Sequence, residues 1–244
     1  MIFTIHMIKT KYSSIISRKY TNKYICYDSS IQKILEDRVL SSVDNNEFRL
    51  ENTSNFLDLN NGLIKKHYWR KGGMKFFKDY YIYLGLSYTR PVRELNNYVD
   101  FSYIINQINN HKVANIIELC TPVCSFVERK GMFYTGDIIL SKIDGLTFDQ
   151  YILKNNITNQ NYKDLIFSFE ILFENGIYNL DMNLKNIIYN QLTNKISFID
   201  FDKLIINTSR KNDKSYSSDV LSKFKRSLEK LNLDNRFDWK SFIK

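Results

Sequence analysis

Asp181 and Asn186 stand five residues apart in Asp-Met-Asn-Leu-Lys-Asn, a polar loop between apolar flanks, and Asp200 follows fourteen residues after Asn186 at the end of Lys-Ile-Ser-Phe-Ile. Phosphoryl transfer needs such a set. One carboxylate orients an attacking hydroxyl and accepts its proton, while an amide oxygen five residues on reaches a divalent cation. A second carboxylate, on the next hairpin strand, holds that cation against phosphate oxygens. Asp and Asn also serve as plain turn formers, because their side chains bond nearby backbone groups, and this chain is rich in Asn. Two features weigh against that explanation. Ile187-Ile188-Tyr189 begins a strand directly after Asn186, and Asp200 lies in an apolar run, where a carboxylate is costly unless it meets a metal or a cation.

The flanking segments read as elements able to hold these groups. Tyr162 to Glu174 carries Leu165, Ile166, Phe169, Leu172 and Phe173 at helical spacing, and Gly176 stops that helix so that Asp181 falls in the loop after it. A second helix spans Leu146 to Leu153, preceded by a polar hinge, Ser141 to Gly145. Val113 to Ile143 reads as strands, with Phe126 to Glu128 and Met132 to Leu140 joined by the turn Arg129-Lys130-Gly131. Thr89 to Leu95 starts a helix with Pro91 early in it. Upstream, Phe48 to Leu50, Phe56 to Leu59 and Leu63 to Tyr68 read as three antiparallel strands, and Ile31 to Leu40 as a short helix. Trp69 to Gly73 forms a basic corner.

Lys65 and Lys66 lie in the third of those strands and face opposite sides of it, so one of them can meet nucleotide phosphates; two exposed lysines on a sheet edge is the plain alternative. Glu94 is placed to orient that lysine, or else sits in a first helical turn where acidic residues suit the dipole. The order of sheet, helix, sheet, hinge, helices, polar loop and hairpin makes the chain α+β with a protein kinase-like two-lobe plan: residues 1–143 as the N-lobe and 144–244 as the C-lobe. Residues 203–220 are short for an activation segment. Leu221 to Leu231 follows as a basic amphipathic helix with a Leu221, Phe224, Leu228 and Leu231 stripe; its Lys and Arg residues suit anionic lipid.

Composition agrees with a folded domain. The chain has 244 residues, 43% hydrophobic and 15% aromatic, enough for a sizeable core. Its net charge of +9 points to an anionic partner: nucleotide, nucleic acid or membrane surface. The charge is spread along the chain and no groove-reading motif occurs, so no nucleic acid is expected. Cys26, Cys120 and Cys124 make neither a disulfide framework nor a zinc site and read as buried thiols. No apolar run reaches the roughly 18 residues of a membrane span, so a soluble or peripheral, cytoplasmic protein is expected.

On these residues the chain resembles the 3-deoxy-D-manno-octulosonic acid (Kdo) kinase family of bacterial lipopolysaccharide kinases, from about residue 62 to 241. The landmarks are Lys66-His67-Tyr68 with Arg70 and Gly72-Gly73, Lys78-Asp79, Thr89-Arg90 and Glu94. They continue with Lys130 to Tyr134, Asp181-Met182-Asn183 with Asn186-Ile187, Ile199 to Lys203, the basic helix and Trp239. The resemblance implies ATP-dependent phosphorylation of a Kdo hydroxyl, at the 4-position, on a Kdo-lipid A precursor. It implies a peripheral enzyme at the cytoplasmic face of the bacterial inner membrane. Asp181 would be the base, Asn186 and Asp200 the Mg²⁺ ligands, Lys66 (with Lys65 as the other candidate) the ATP contact, and Glu94 its partner.

Two departures stand out: Asn179 occupies the His position of the family's His-x-Asp, with Met182 in place of leucine, and no glycine precedes Gly62, where the family has a Gly-containing loop over the nucleotide. Asp44-Asn45-Asn46 would fill that turn, with Asp44 repelling phosphate. A heptose or other sugar kinase, or a catalytically silent lipid- or nucleotide-binding scaffold, are the alternative functions.

Overall fold

The structure, a computed structural model, describes residues 4–9, 11–12, 14–29, 56–59, 62–70, 79–110, 116–155 and 158–233. The strand read at Phe48 to Leu50, the helix read at Ile31 to Leu40, the Asp44 turn, Gly72-Gly73, Lys78 and Trp239 lie outside them. The chain divides into two compact units: Met1–Asp100 with Thr121–Lys142, and Phe101–Cys120 with Ile143–Lys244. The sequence reading placed all of 1–143 in one lobe. Phe101–Cys120 instead joins the second unit, where Ile117 bridges Ile196, Glu118 N–H donates to the Ile196 carbonyl, and the Phe101 ring lies 4.6 Å from that of Phe201.

The first unit is built on strands β1 (Thr4–Lys9), β2 (Ser14–Tyr20), β3 (Lys23–Asp28), β4 (Phe56–Asp58), β5 (Leu63–His67) and β6 (Tyr81–Ile82). Helix α1 (Arg90–Asn110) follows, belonging to this unit up to Asp100, then β7 (Pro122–Lys130) and β8 (Phe133–Ser141). The strands pair antiparallel in the order β1-β2-β3-β7-β8-β5-β4, with β6 on β8. The first three went unread in the sequence. Strand β3 shows why: Tyr24 to Tyr27 are buried without interruption, so it lacks the apolar–polar alternation that marks a half-exposed strand. Ile25, Tyr27, Val123, Cys124 and Ile139 form one core cluster of this sheet. Pro91 sits early in α1, as expected, and its ring packs where any side chain at Gly136 of β8 would stand.

The second unit continues with β9 (Leu146–Thr147), α2 (Phe148–Lys154) and α3 (Asn159–Glu174). Then come β10 (Ile177–Asn179), β11 (Ile187–Asn190), β12 (Lys195–Phe198), β13 (Leu204–Ile206) and α4 (Lys214–Glu229). Helix α3 begins in a capping box between Thr158 and Asn161, which satisfies two backbone donors that would otherwise be orphaned. It ends at Gly176, whose φ of +70° an L side chain adopts only with strain, and whose missing Cβ lets the Asn207 carbonyl approach closely. Strands β11 and β12 form the hairpin read from the sequence, and β9 adds to its other edge.

Helix α4 starts seven residues earlier than the basic stripe suggested, because the Asp213 side chain caps Ser215 and Tyr216 N–H. Its buried face is Val220, Phe224 and Leu228; Leu221 and Leu231 are only half-buried. Phe224 packs 5.5 Å, ring to ring, from Phe169 of α3.

Candidate active site

Alternation along β5 sends its two lysines to different partners. Lys66 and Tyr68 share one face. Lys66 Nζ lies 2.8 and 2.7 Å from Glu94 Oε1 and Oε2, and the Tyr68 hydroxyl donates to the same carboxylate. Both charged side chains are buried, Glu94 completely, so this pair is shielded from solvent screening. Lys65 and His67 take the other face. Lys65 Nζ is 3.5 Å from Asp137 Oδ1, His67 Nδ1 is 2.6 Å from the same oxygen, and His67 Nε2 is 3.2 Å from Asp79 Oδ2. Lys65 and Lys66 are therefore not exposed edge lysines: β5 lies inside the sheet between β8 and β4. Nor is Glu94 a surface residue favoured by the helix dipole alone. Of the two lysines, Lys66 is the one that meets Glu94.

In the second unit the loop between β10 and β11 carries Asp181 and Asn186. Asn179, almost fully buried at the end of β10, joins that loop to the turn after β12. Its Nδ2 donates to the Asp200 carbonyl at 3.2 Å and its Oδ1 accepts from Asp181 N–H at 3.0 Å. Asn186 is buried; its Nδ2 donates to the Asp181 carbonyl at 3.0 Å, and its own carbonyl accepts from Ile199 N–H at 3.0 Å. Asp181, Asn186 and Asp200, separated in sequence, are thus tied together through backbone. Asp200 holds φ 60° and ψ 70°, the left-handed region that carries a cost for a non-glycine residue. The Asn179 amide bonds the carbonyl of that strained residue.

Asp181 keeps a partly exposed carboxylate, and two lysines approach it: Lys203 Nζ at 3.4 Å and Lys223 Nζ at 3.9 Å from Oδ1. Lys223 also donates to the Leu180 carbonyl. The role of Lys223 beside Asp181 was not legible in the sequence. It comes from α4, and only the packing register of that helix turns the residue toward the loop. Lys203 was visible in the Asp-Phe-Asp-Lys run, but without a partner.

Asn186, just before β11, and Asp200, just after β12, are the residues that would hold a hard cation. With Nδ2 of Asn186 committed to a carbonyl, its amide oxygen is turned the other way, and Asp200 supplies a carboxylate. One or two such oxygens, completed by phosphate and water, suit Mg²⁺, which seldom uses an all-protein cage. Among the described residues no cluster of three or more His, Cys, Asp or Glu side chains forms a metal centre of another kind.

The profile of the Lipopolysaccharide kinase (Kdo/WaaP) family matches residues 39–244. The chain belongs to this family. It is 25% identical over 177 residues to a 3-deoxy-D-manno-octulosonic acid kinase of Vibrio vulnificus, covering 71% of this chain and 68% of that one. A probable serine/threonine-protein kinase, fnkB, of Dictyostelium discoideum is 31% identical over 107 residues, covering 40% of this chain and 20% of that one. Among solved structures, the Rio2 kinase of Chaetomium thermophilum (13% identity, TM-score 0.38) aligns with 94% of this chain and 56% of its own. The bifunctional kinase-methyltransferase WbdD (12%, TM-score 0.36) aligns with 61% and 29%. The chain thus spans little more than half of the first of these solved chains and under a third of the second. Membership of the Kdo/WaaP family makes the fold protein kinase-like and supports a phosphotransferase that uses ATP. Among the described residues no helix is long and apolar enough to cross a membrane.

Proposed function

We propose that the chain transfers the γ-phosphoryl group of ATP to a hydroxyl of a Kdo residue on a lipid A precursor, at the 4-position. The single observation that carries this reading is the Asn179 bridge. It joins the loop bearing Asp181 to the turn bearing Asp200, while Asn186 locks onto the same loop. Asp181 accepts the proton of the attacking acceptor hydroxyl. That oxygen forms the new bond to phosphorus as the bond from phosphorus to the bridging oxygen of ADP breaks. Asn186 and Asp200 would hold Mg²⁺, which supplies charge neutralisation at the phosphates when bound. Lys66, oriented by Glu94, contacts phosphate oxygens, and Lys203 beside Asp181 adds positive charge where the transferred group passes. The net charge of +9 suits an anionic glycolipid at the cytoplasmic face of the bacterial inner membrane, with the protein bound peripherally.

The test is transfer of labelled γ-phosphate from ATP with Mg²⁺ to a Kdo-lipid A precursor. Asp181→Asn should lower the rate about 10²–10⁴-fold, the usual contribution of a positioned base. Wild-type transfer to a heptose-bearing core lipid instead would reassign the acceptor. An Asp181→Asn variant working at the wild-type rate would remove Asp181 from the chemistry.

A further inference from the structure

Beside Asp181 lies a cavity of 430 Å³, walled on one side by the loop after β10 and on the other by α4. Its lining includes Lys185, Lys223, Arg226 and Lys230 against Asp181 as the single acid. Lys223 and Arg226 fall on one face of α4 by their spacing of three residues, and Lys230 follows four residues on, at the helix C-cap. The outward face has a pair of its own, Lys225 with Glu229 at 3.9 Å.

Basic residues near a helix C-terminus often do no more than complement its dipole. Lys185 is not on that helix, however, and Lys223 stands well before its last turn. The walls are also fastened together. Ser227 accepts from Leu184 N–H at 3.2 Å and donates to the Phe224 carbonyl, while Lys223 donates to the Leu180 carbonyl. Leu231, half-buried, also lines the space and gives it an apolar edge. A cavity of this size accommodates a small-molecule group, and its charge selects an anion.

We propose that this cavity is the seat for the acid group of the acceptor, a sugar-borne carboxylate or phosphate. Gripping that group positions the neighbouring hydroxyl at Asp181. This rests on the reading of Asp181 as the base. Arg226 offers a planar fork suited to a carboxylate or phosphate, and Lys185 and Lys230 add point charges around it.

Binding to the full-length chain, measured calorimetrically, separates the two acid sources. One arm compares Kdo with its methyl ester, the other N-acetylglucosamine 1-phosphate with N-acetylglucosamine. The charged member of at least one pair should bind roughly tenfold more tightly than its neutral counterpart, the worth of one or two charge-assisted hydrogen bonds. Arg226→Gln with Lys230→Gln should erase that preference, while Lys225→Gln, the same charge change on the outward face, should leave it. Arg226→Lys should recover part of it. No preference in either arm, or a preference that survives the double variant, overturns the proposal. The transfer assay is read in parallel. Transfer that persists with acceptor KM unchanged in the double variant sinks the anion seat and leaves the kinase reading standing. A charge preference lost in the double variant, without transfer to any acceptor, sinks the kinase reading and leaves the anion seat.

Discussion

Lys66 Nζ reaches both carboxylate oxygens of Glu94, at 2.8 and 2.7 Å, inside the first unit and away from water. Such a pair is expensive to break from one side, because the survivor is left charged and buried. Lys66→Met alone or Glu94→Leu alone should destabilise the protein by about 3–5 kcal/mol. The two together should recover much of that loss. Thermal melting of the two single variants and the double variant checks this cycle. Nucleotide titration should show weak binding in all three, including the double variant whose stability returns.

Asn179 makes two bonds with one amide. Asn179→Asp keeps the acceptor toward Asp181 N–H but loses the donor and sets negative charge against the Asp200 carbonyl. A loss of about 1–3 kcal/mol in unfolding free energy is expected, the penalty for a buried polar group left unpaired. Denaturant melts measure it. The phosphoryl-transfer rate should fall as well, because the strained turn at Asp200 loses its tie to the loop of Asp181.

Lys203 divides stability from activity. Its pair with Asp181 is more than half exposed on the lysine side, and such pairs contribute at most about 1 kcal/mol. Lys203→Met should therefore melt within a few degrees of wild type. If its charge assists transfer, kcat should drop by roughly tenfold or more. An unchanged kcat would restrict Lys203 to the surface.

The thiols give a pH signature. Burial pushes Cys26 up from 9.0 to about 11, with the Ser17 and Ser125 hydroxyls offsetting part of the rise, and burial also raises Cys124. The folded protein thus keeps a proton on Cys26 that the unfolded chain gives up. Its contribution to stability is complete below about pH 9 and is lost as pH rises toward 11. Unfolding free energies across that window should fall more steeply in wild type than in Cys26→Ala. All three thiols are buried, so iodoacetamide at pH 8 should leave them unmodified until the protein unfolds.

Much of the site was readable because it is local. The interval from Asp181 to Asn186 and the hairpin ending at Asp200 are set by short-range chain geometry, so their residue types survive as a pattern. The strands from β7 to β8 and the helices α1 and α3 announced themselves by turns, caps and periodicity. What escaped depends on tertiary packing. Nothing in Thr4–Lys9 or Ser14–Tyr20 says that these strands extend the sheet beyond β3, since their lysines and serines break the apolar pattern. The different partners of Lys66 and Lys65 could not be read until α1 placed Glu94 on one side of β5 and β8 placed Asp137 on the other. The buried stripe of α4 was read correctly at Phe224 and Leu228, but its N-terminal member is Val220 and not Leu221. Its N-cap, Asp213, lies in a polar run with no apolar signal.

Between the end of β13 at Ile206 and the start of α4 at Lys214 lie only seven residues, Asn207–Asp213. They are pinned as they go: Asn207 N–H donates to the Gly176 carbonyl, Asn212 N–H to the Phe173 carbonyl, and Asp213 N–H to the Tyr178 hydroxyl. A stretch so short and so often fastened has no slack to swing between open and shut postures. Its anchors instead fix the phase of α4, and with it the placing of Lys223 beside Asp181.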